Sequence, residues 1–326
     1  MLRTPAAVAF HDLLPAQAGM REEICAGLRK ARKEISPKYF YDPRGCELFE
    51  AICHLPEYYP TRTELAIMQK HAAAMAAALG HGATLIEIGC GNSEKTRALL
   101  DELAPRVFVA VDIAREQLEA SCSRLATDFP QMKVVAVRAD FAGAFDLPVT
   151  ELGGTRRILY FPGSTIGNFT PDEARAFLAR WVPALGPGGG ALIGVDLKKD
   201  AAVLDAAYDD AQGVTAQFNL NVLTHINRAL GADFDVTRFR HRARYVPAQG
   251  RIEMHLESLT AQRVTIGAQV FDFRAGETIH TENSYKYSID EFRALARDAG
   301  YEPRSCWSDD ASLFAVHELA VAARTL

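Results

Sequence analysis

The sequence has no uninterrupted apolar run long enough to cross a bilayer. Its start, Met1–Gln17, lacks the basic residues and long apolar stretch of a secretory signal. It also has no basic excess: 36 Lys and Arg stand against 41 Asp and Glu, a net charge of −5. That balance argues against a general polyanion binder, so no nucleic acid and no membrane is expected as a partner. Cysteine is scarce, and Cys25, Cys46, Cys53, Cys90, Cys122 and Cys306 show no paired spacing. A chain of 326 residues can bury a large core without a disulfide framework, which predicts reduced thiols in a cytoplasmic protein, most simply a monomer. Cys46, Cys53 and His54 fall near one another, but the spacing fits no zinc pattern and no metal is expected. No internal repeat is present; the Ala-rich stretch His71–Leu79 only continues a helical pattern begun at Thr61.

What is present, from Thr84 onward, is regular alternation. Apolar strands are predicted at Thr84–Ile88, Val107–Val111, Val134–Val137, Arg157–Phe161 and Ala191–Val195. Helices are predicted between them: from a Ser93 cap to Leu103, over Ala114–Phe129, and over Pro171–Leu185, stopped by Gly186-Pro187. The alternation resumes as a helix over Ile289–Ala299, then Tyr301–Ser308, then a strand Ser312–Ala320. Such order means a doubly wound α/β sheet covered on both faces. The expected division is a ligand-binding domain over 64–197 and 286–326. A second, smaller α+β domain is then left for 1–63 and 198–285.

Open α/β sheets bind ligands at the carboxyl ends of their strands, where the strand order reverses. Gly89 and Gly91 follow the first strand and permit a tight turn with close backbone approach. Asp112 ends the second strand about 20 residues later, where an acid can accept two ribose hydroxyls. Asp140 and Phe141 end the third, where an acid and a ring suit an adenine. Either acid alone is also what a solvated strand end looks like; the set in sequence order is less easily dismissed. A dinucleotide fingerprint would place a small residue where Glu94 stands, and a carboxylate there opposes a diphosphate. A cationic sulfonium is favoured by it instead. The reading is S-adenosylmethionine (SAM), and the fold a Rossmann-like class I methyltransferase sheet.

Tyr39, Tyr41, Tyr58 and Tyr59 crowd a polar N-terminal region, and Gly163-Ser164-Thr165-Ile166-Gly167-Asn168 follows the fourth strand, where a methyl acceptor would sit. With the strings PEYYPTRTE, EIGCGNSEKT, GSTIGN, AYDDAQGVTAQFN, NRALGADFD and RIEM, and the TE-x-S segment at 281–284, the sequence resembles the histidine α-N-methyltransferases of ergothioneine biosynthesis. The resemblance runs from about Lys38 to the end. It implies SAM-dependent methylation of the α-amino group of L-histidine, in three transfers, to the trimethylated betaine hercynine. By motif it puts Tyr58, Asn168 and Tyr208 on the substrate's carboxylate and α-amino group, and Tyr41 near the amine. It puts Glu282 and Ser284 on the imidazole with Met254 lining that pocket, and Gly89, Lys95, Asp112 and Asp140 on the cofactor. Tyr59 is left as packing. The turn reads GCGNS where the family often has GSGTS, and Asn283–Ser288 also departs from its bacterial histidine enzymes, on the stretch that reads the ring.

The residues carry that reading physically too. A neutral imidazole offers one donor and one acceptor. A carboxylate and a hydroxyl two residues apart on an extended segment share a face and can meet both. A phenyl ring would leave Glu282 buried and unpaired. Three rivals stand beside it. One is another amino acid such as tryptophan, which a ring pocket without Glu282 would favour. Another is an RNA-directed methyltransferase using the alternating Arg238, Arg240, Arg242 and Arg244, although such alternation is more often a solvated sheet face. The third is a catalytically inactive SAM sensor, against which the acceptor-side residues count.

Overall fold

The computed structural model describes residues 8–14, 19–91, 94–143, 145–153 and 156–323. The chain forms two compact units: Met1–Leu14, Pro60–Lys198 and Lys286–Leu326 make the first, Pro15–Tyr59 and Lys199–Tyr285 the second. In chain order, the described elements begin with β1 (Ala9–Asp12), α1 (Met20–Arg29), β2 (Lys33–Glu34), α2 (Pro43–Cys53) and α3 (Tyr59–Leu79). Next come β3 (Thr84–Ile88), α4 (Glu94–Leu103), β4 (Val107–Asp112), α5 (Arg115–Asp128), β5 (Lys133–Arg138), β6 (Arg157–Phe161), α6 (Pro171–Leu185) and β7 (Gly190–Asp196). Then follow α7 (Ala201–Tyr208), α8 (Val214–Leu230), β8 (Phe239–Val246), β9 (Arg251–Ser258), β10 (Gln262–Ile266), β11 (Gln269–Phe273) and β12 (Thr278–Tyr285). The chain closes with α9 (Ile289–Asp298), β13 (Tyr301–Ser308) and β14 (Phe314–Val321).

The first unit is an eight-stranded sheet in the order β1-β5-β4-β3-β6-β7-β14-β13. The first six strands in that order are parallel, β14 runs antiparallel to β7, and β13, antiparallel to β14, runs the same way as the first six. Every residue of β3 and of β7 is buried, as a sheet covered on both faces requires. The doubly wound α/β sheet expected from the alternation is the sheet found. Its helices start where the chain supplies caps: Thr170 and Glu173 close a capping box on α6, Ser288 and Glu291 another on α9. The predicted Ser93 cap lies outside the described residues. Strand order reverses at β3, which has β4 on one side and β6 on the other, so the crevice for a ligand lies at their carboxyl ends.

One assignment needs correction. The stretch 1–63 was expected to belong whole to the second domain, yet β1 pairs in parallel with β5 from Ala9↔Val135 to Asp12↔Arg138. Four residues, two of them polar, give too short a pattern to show as a strand. The gain comes from edge pairing and from Val8 and Phe10 packing on the core.

The second unit has a four-stranded sheet, β2-β12-β9-β8, and a hairpin, β10-β11. On β8 Arg240, Arg242 and Arg244 do alternate on the outer face, with Arg238 in the turn just before it, but acids on β9 and in that turn meet them. Arg240 and Arg242 both pair with Glu257, Arg244 lies 3.7 Å from Glu253 and Arg238 3.0 Å from Asp235. A solvated, charge-matched face accounts for them.

Asp42 organises the helical side of this unit. Its Oδ1 accepts the Gly45 N–H at 2.8 Å, capping α2, and Asn221 Nδ2 of α8 at 2.7 Å; Oδ2 accepts from Arg228 at 2.6 Å. Asp42→Ala removes the cap and strands a buried amide, so it should lower stability by about 2 kcal/mol. Urea unfolding checks this, and a loss below about 0.5 kcal/mol, the level of an ordinary surface change, would contradict it.

Candidate active site

In the first unit, the turn after β3 carries Gly89 at φ 72 and Gly91 at φ 47. A Cβ at either would meet nothing within 4 Å, so glycine is needed there for its left-handed backbone rather than for clearance. The Gly89 N–H donates to the Val111 carbonyl at 2.8 Å, tying the turn to the end of β4. There Asp112 accepts the Ala114 N–H at 2.9 Å. Burial pushes its carboxyl up, against the pull of backbone N–H groups at Ala114, Gly91 and Ile113. Asp140, past β5, accepts the Ala142 N–H at 3.0 Å. The ring of Phe141 meets Phe161 edge-on at 5.9 Å, and Arg180 donates to the Phe141 carbonyl at 2.6 Å. Lys95, in the first turn of α4, bonds Glu64 at 2.7 Å. Asn168 ends a short 3₁₀ turn, Thr165–Asn168, that follows β6.

The second unit gathers the other acceptor-side candidates. Tyr41, Phe49, Tyr58 and Tyr208 form a run of edge-on ring contacts at 5.8, 6.4 and 6.1 Å. The Tyr208 and Ser284 hydroxyls share a hydrogen bond at 2.7 Å. Burial, then the neighbouring Tyr208, Cys53, Glu282 and Tyr41, hold the Tyr58 phenol well above its ordinary range, so it stays protonated and can donate. Glu282 stands opposite Met254 in the β12–β9 ladder, and Ser284 opposite Ile252. The two side chains therefore share a face, with a bulge between His280 and Glu282 just before them. Tyr59 is buried, as packing requires, but its hydroxyl also accepts from Lys199 at 2.6 Å.

A family described as "Histidine-specific methyltransferase, SAM-dependent" matches residues 20–321. The chain belongs to this family. It is 44% identical over 302 residues to the histidine N-alpha-methyltransferase of Mycobacterium tuberculosis, covering 90% of this chain and 92% of that one. To the protein of the same name in Mycolicibacterium smegmatis it is 42% identical over 305 residues, covering 92% and 94%. The ergothioneine biosynthesis protein 1 of Neurospora crassa is 32% identical over 299 residues, 85% of this chain but 32% of that longer one. The resemblance read from the motif strings is thus borne out, and the reaction class of this histidine-specific methyltransferase is SAM-dependent methyl transfer.

The cofactor edge fits such a donor. The charges of Asp112 and Glu64 both act on Glu87 there, and acid at that edge suits a sulfonium and opposes a diphosphate. Bound there, SAM supplies a methyl group made electrophilic by the positive sulfur.

Sequence reasoning gave no role to Glu64 or Glu87. Glu87 left a signal, an acid inside the apolar strand Thr84–Ile88. It is 1% exposed. Thr96 Oγ1 donates to its Oε1 at 2.6 Å, while Oε2 is buried with no hydrogen-bond partner among the described residues. Burial pushes its carboxyl up to about 8, only partly offset by Thr96 and Lys95. The folded value lies above the ordinary 4.5, so the proton is held more tightly in the folded chain. That contribution to stability is complete below the unfolded value and lost as pH rises through about 8. Glu87→Gln should therefore gain in melting temperature relative to the ligand-free parent as pH goes from about 5 to about 8.5. Parallel melting curves across that range would refute it.

Proposed function

We propose that this enzyme methylates the α-amino group of L-histidine, taking three methyl groups in succession from SAM to give hercynine. The observation that carries the choice of acceptor is the Glu282 carboxylate on one strand face with Ser284, beside the half-buried Tyr58 and the buried Tyr208. Glu282 and Ser284 offer an acceptor and an adaptable hydroxyl to the two ring nitrogens, with Met254 lining the ring. Tyr58, Tyr208 and Asn168 hold the substrate's carboxylate and amine. Gly89, Gly91, Lys95, Asp112, Asp140 and Phe141 hold the cofactor, the two acids accepting from ribose and adenine.

Methyl transfer is an in-line displacement, so the chain's work is to align a neutral amine lone pair and keep water out. The α-ammonium must lose a proton first. A tyrosine held well above its ordinary range is a poor base at neutral pH, which leaves Tyr58 to orient the amine and water near Tyr41 to take the proton. The product ammonium can donate no hydrogen bond, and the tyrosine faces stabilise it by cation–π contact.

Purified protein incubated with SAM and each proteinogenic amino acid, read by mass spectrometry, tests the proposal. Histidine alone should gain three methyl groups. Product stopped at one methyl under excess SAM would sink the trimethylation, and transfer to tryptophan instead would overturn the ring pocket. Glu282→Ala should raise the histidine KM by at least about tenfold, the scale of a lost bond to a charged group, with a smaller effect on SAM.

A further inference from the structure

Glu64, on α3, has no part in the assignments above, yet its side chain is fully buried. Both its oxygens lie within hydrogen-bond distance of the Gly163 N–H, at 3.0 and 2.9 Å, and Oε2 also accepts from Lys95 Nζ at 2.7 Å. Gly163 opens the loop that ends in Asn168. Lys95 stands just after the cofactor turn. A third observation points the same way. Gly194 sits in the interior of β7, where a fully buried strand ordinarily takes a branched apolar residue. A Cβ there would lie 2.2 Å from Glu64 Oε1, so glycine makes room for the carboxylate. A buried carboxylate is costly unless paired and hydrogen-bonded. Here a lysine, a backbone N–H and a strand glycine are all placed around it.

We infer that Glu64 is a positioning residue through whose carboxylate the cofactor lysine and the acceptor loop are coupled. The inference rests on the roles proposed above for Lys95 and Asn168. Glu64 touches no reacting atom. The amino-acid end of the cofactor carries a carboxylate, and when Lys95 shares its charge with that group, Glu64 is less neutralised. Its hold on the Gly163 N–H then tightens, and the loop bearing Asn168 stiffens. Linkage requires the reverse as well: a bound acceptor strengthens cofactor binding by the same factor.

The test is calorimetric binding of S-adenosylhomocysteine to the whole protein, with and without saturating histidine. The parent should bind it at least about fivefold more tightly with histidine, the lower end of ordinary coupling. Glu64→Gln keeps the volume and an oxygen for Gly163 but loses the charge, so its ratio should fall to near one. Should Glu64→Gln fail to fold, Lys95→Met, at a partly exposed position, removes the partner charge and should flatten the ratio too. A ratio unchanged in a folded variant overturns the coupling and leaves the proposed function standing, as does a parent ratio near one. A parent that binds neither ligand overturns the functional reading and the coupling together.

Discussion

Negative charge buried at the carboxyl edge of an otherwise apolar sheet is the constraint around which the first unit is arranged. Four carboxylates lie there, and each is settled differently. Asp196, at the end of β7, is paired at 2.6 Å with Lys286, both side chains fully buried. Glu64 has Lys95 and the Gly163 N–H. Asp112 leans on backbone N–H groups, and Glu87, half satisfied, holds its proton up to about 8. A buried charge without partners would cost several kcal/mol, a large share of a domain's net stability. The positions of Lys95, Lys286, Gly194 and the glycine turn are therefore determined by the acids as much as by the sheet.

The same constraint extends to the acceptor loop. Ser164 adopts a left-handed φ of 55 and its Oγ accepts the Asp196 N–H at 2.9 Å. Gly163, one residue earlier, is held by Glu64. A loop pinned at two consecutive residues, one by the Glu64 carboxylate and one by the backbone N–H of β7 at Asp196, delivers Asn168 from a fixed starting point, four residues on. Removing the Glu64 carboxylate would loosen the loop at Gly163 while leaving every residue assigned to the acceptor in place.

Much of this was legible in the sequence, and the rest was hidden for physical reasons. The strands of the doubly wound sheet were visible because strands buried on both faces read as continuous apolar runs, and α6 because Pro171 and Gly186 mark its ends. Strand β1 was not, since four residues at a sheet edge carry no period. Asp112 and Asp140 stood out as candidates because strand ends are where an open α/β sheet meets its ligand. Glu64 was missed because it sits in a helix within PEYYPTRTE, where a carboxylate looks like any solvated one; only the close approach of Gly194, distant in sequence, marks it as buried. The arginines of β8 were read as one face, but their acids Glu253 and Glu257 lie on β9, and register cannot be read from composition.

The candidate residues of the two units differ in how they hold polar groups, and the proposed reaction needs that difference. In the first, buried acids are held by lysines and backbone N–H groups in fixed positions, as suits the proposed cofactor, bound the same way in every round. In the second, the contacts among Tyr58, Tyr208 and Ser284 are rings and neutral hydroxyls. Each methylation takes one hydrogen-bond donor from the amine and adds bulk, so the amine must turn between transfers. A hydroxyl can rotate and exchange partners at the cost of one ordinary hydrogen bond, whereas an ion pair to the amine would have to be broken in an environment that makes separation expensive. A pocket of tyrosines gives up its polar contacts stepwise and keeps its aromatic ones. Those contacts grow more favourable as the nitrogen becomes a permanent cation.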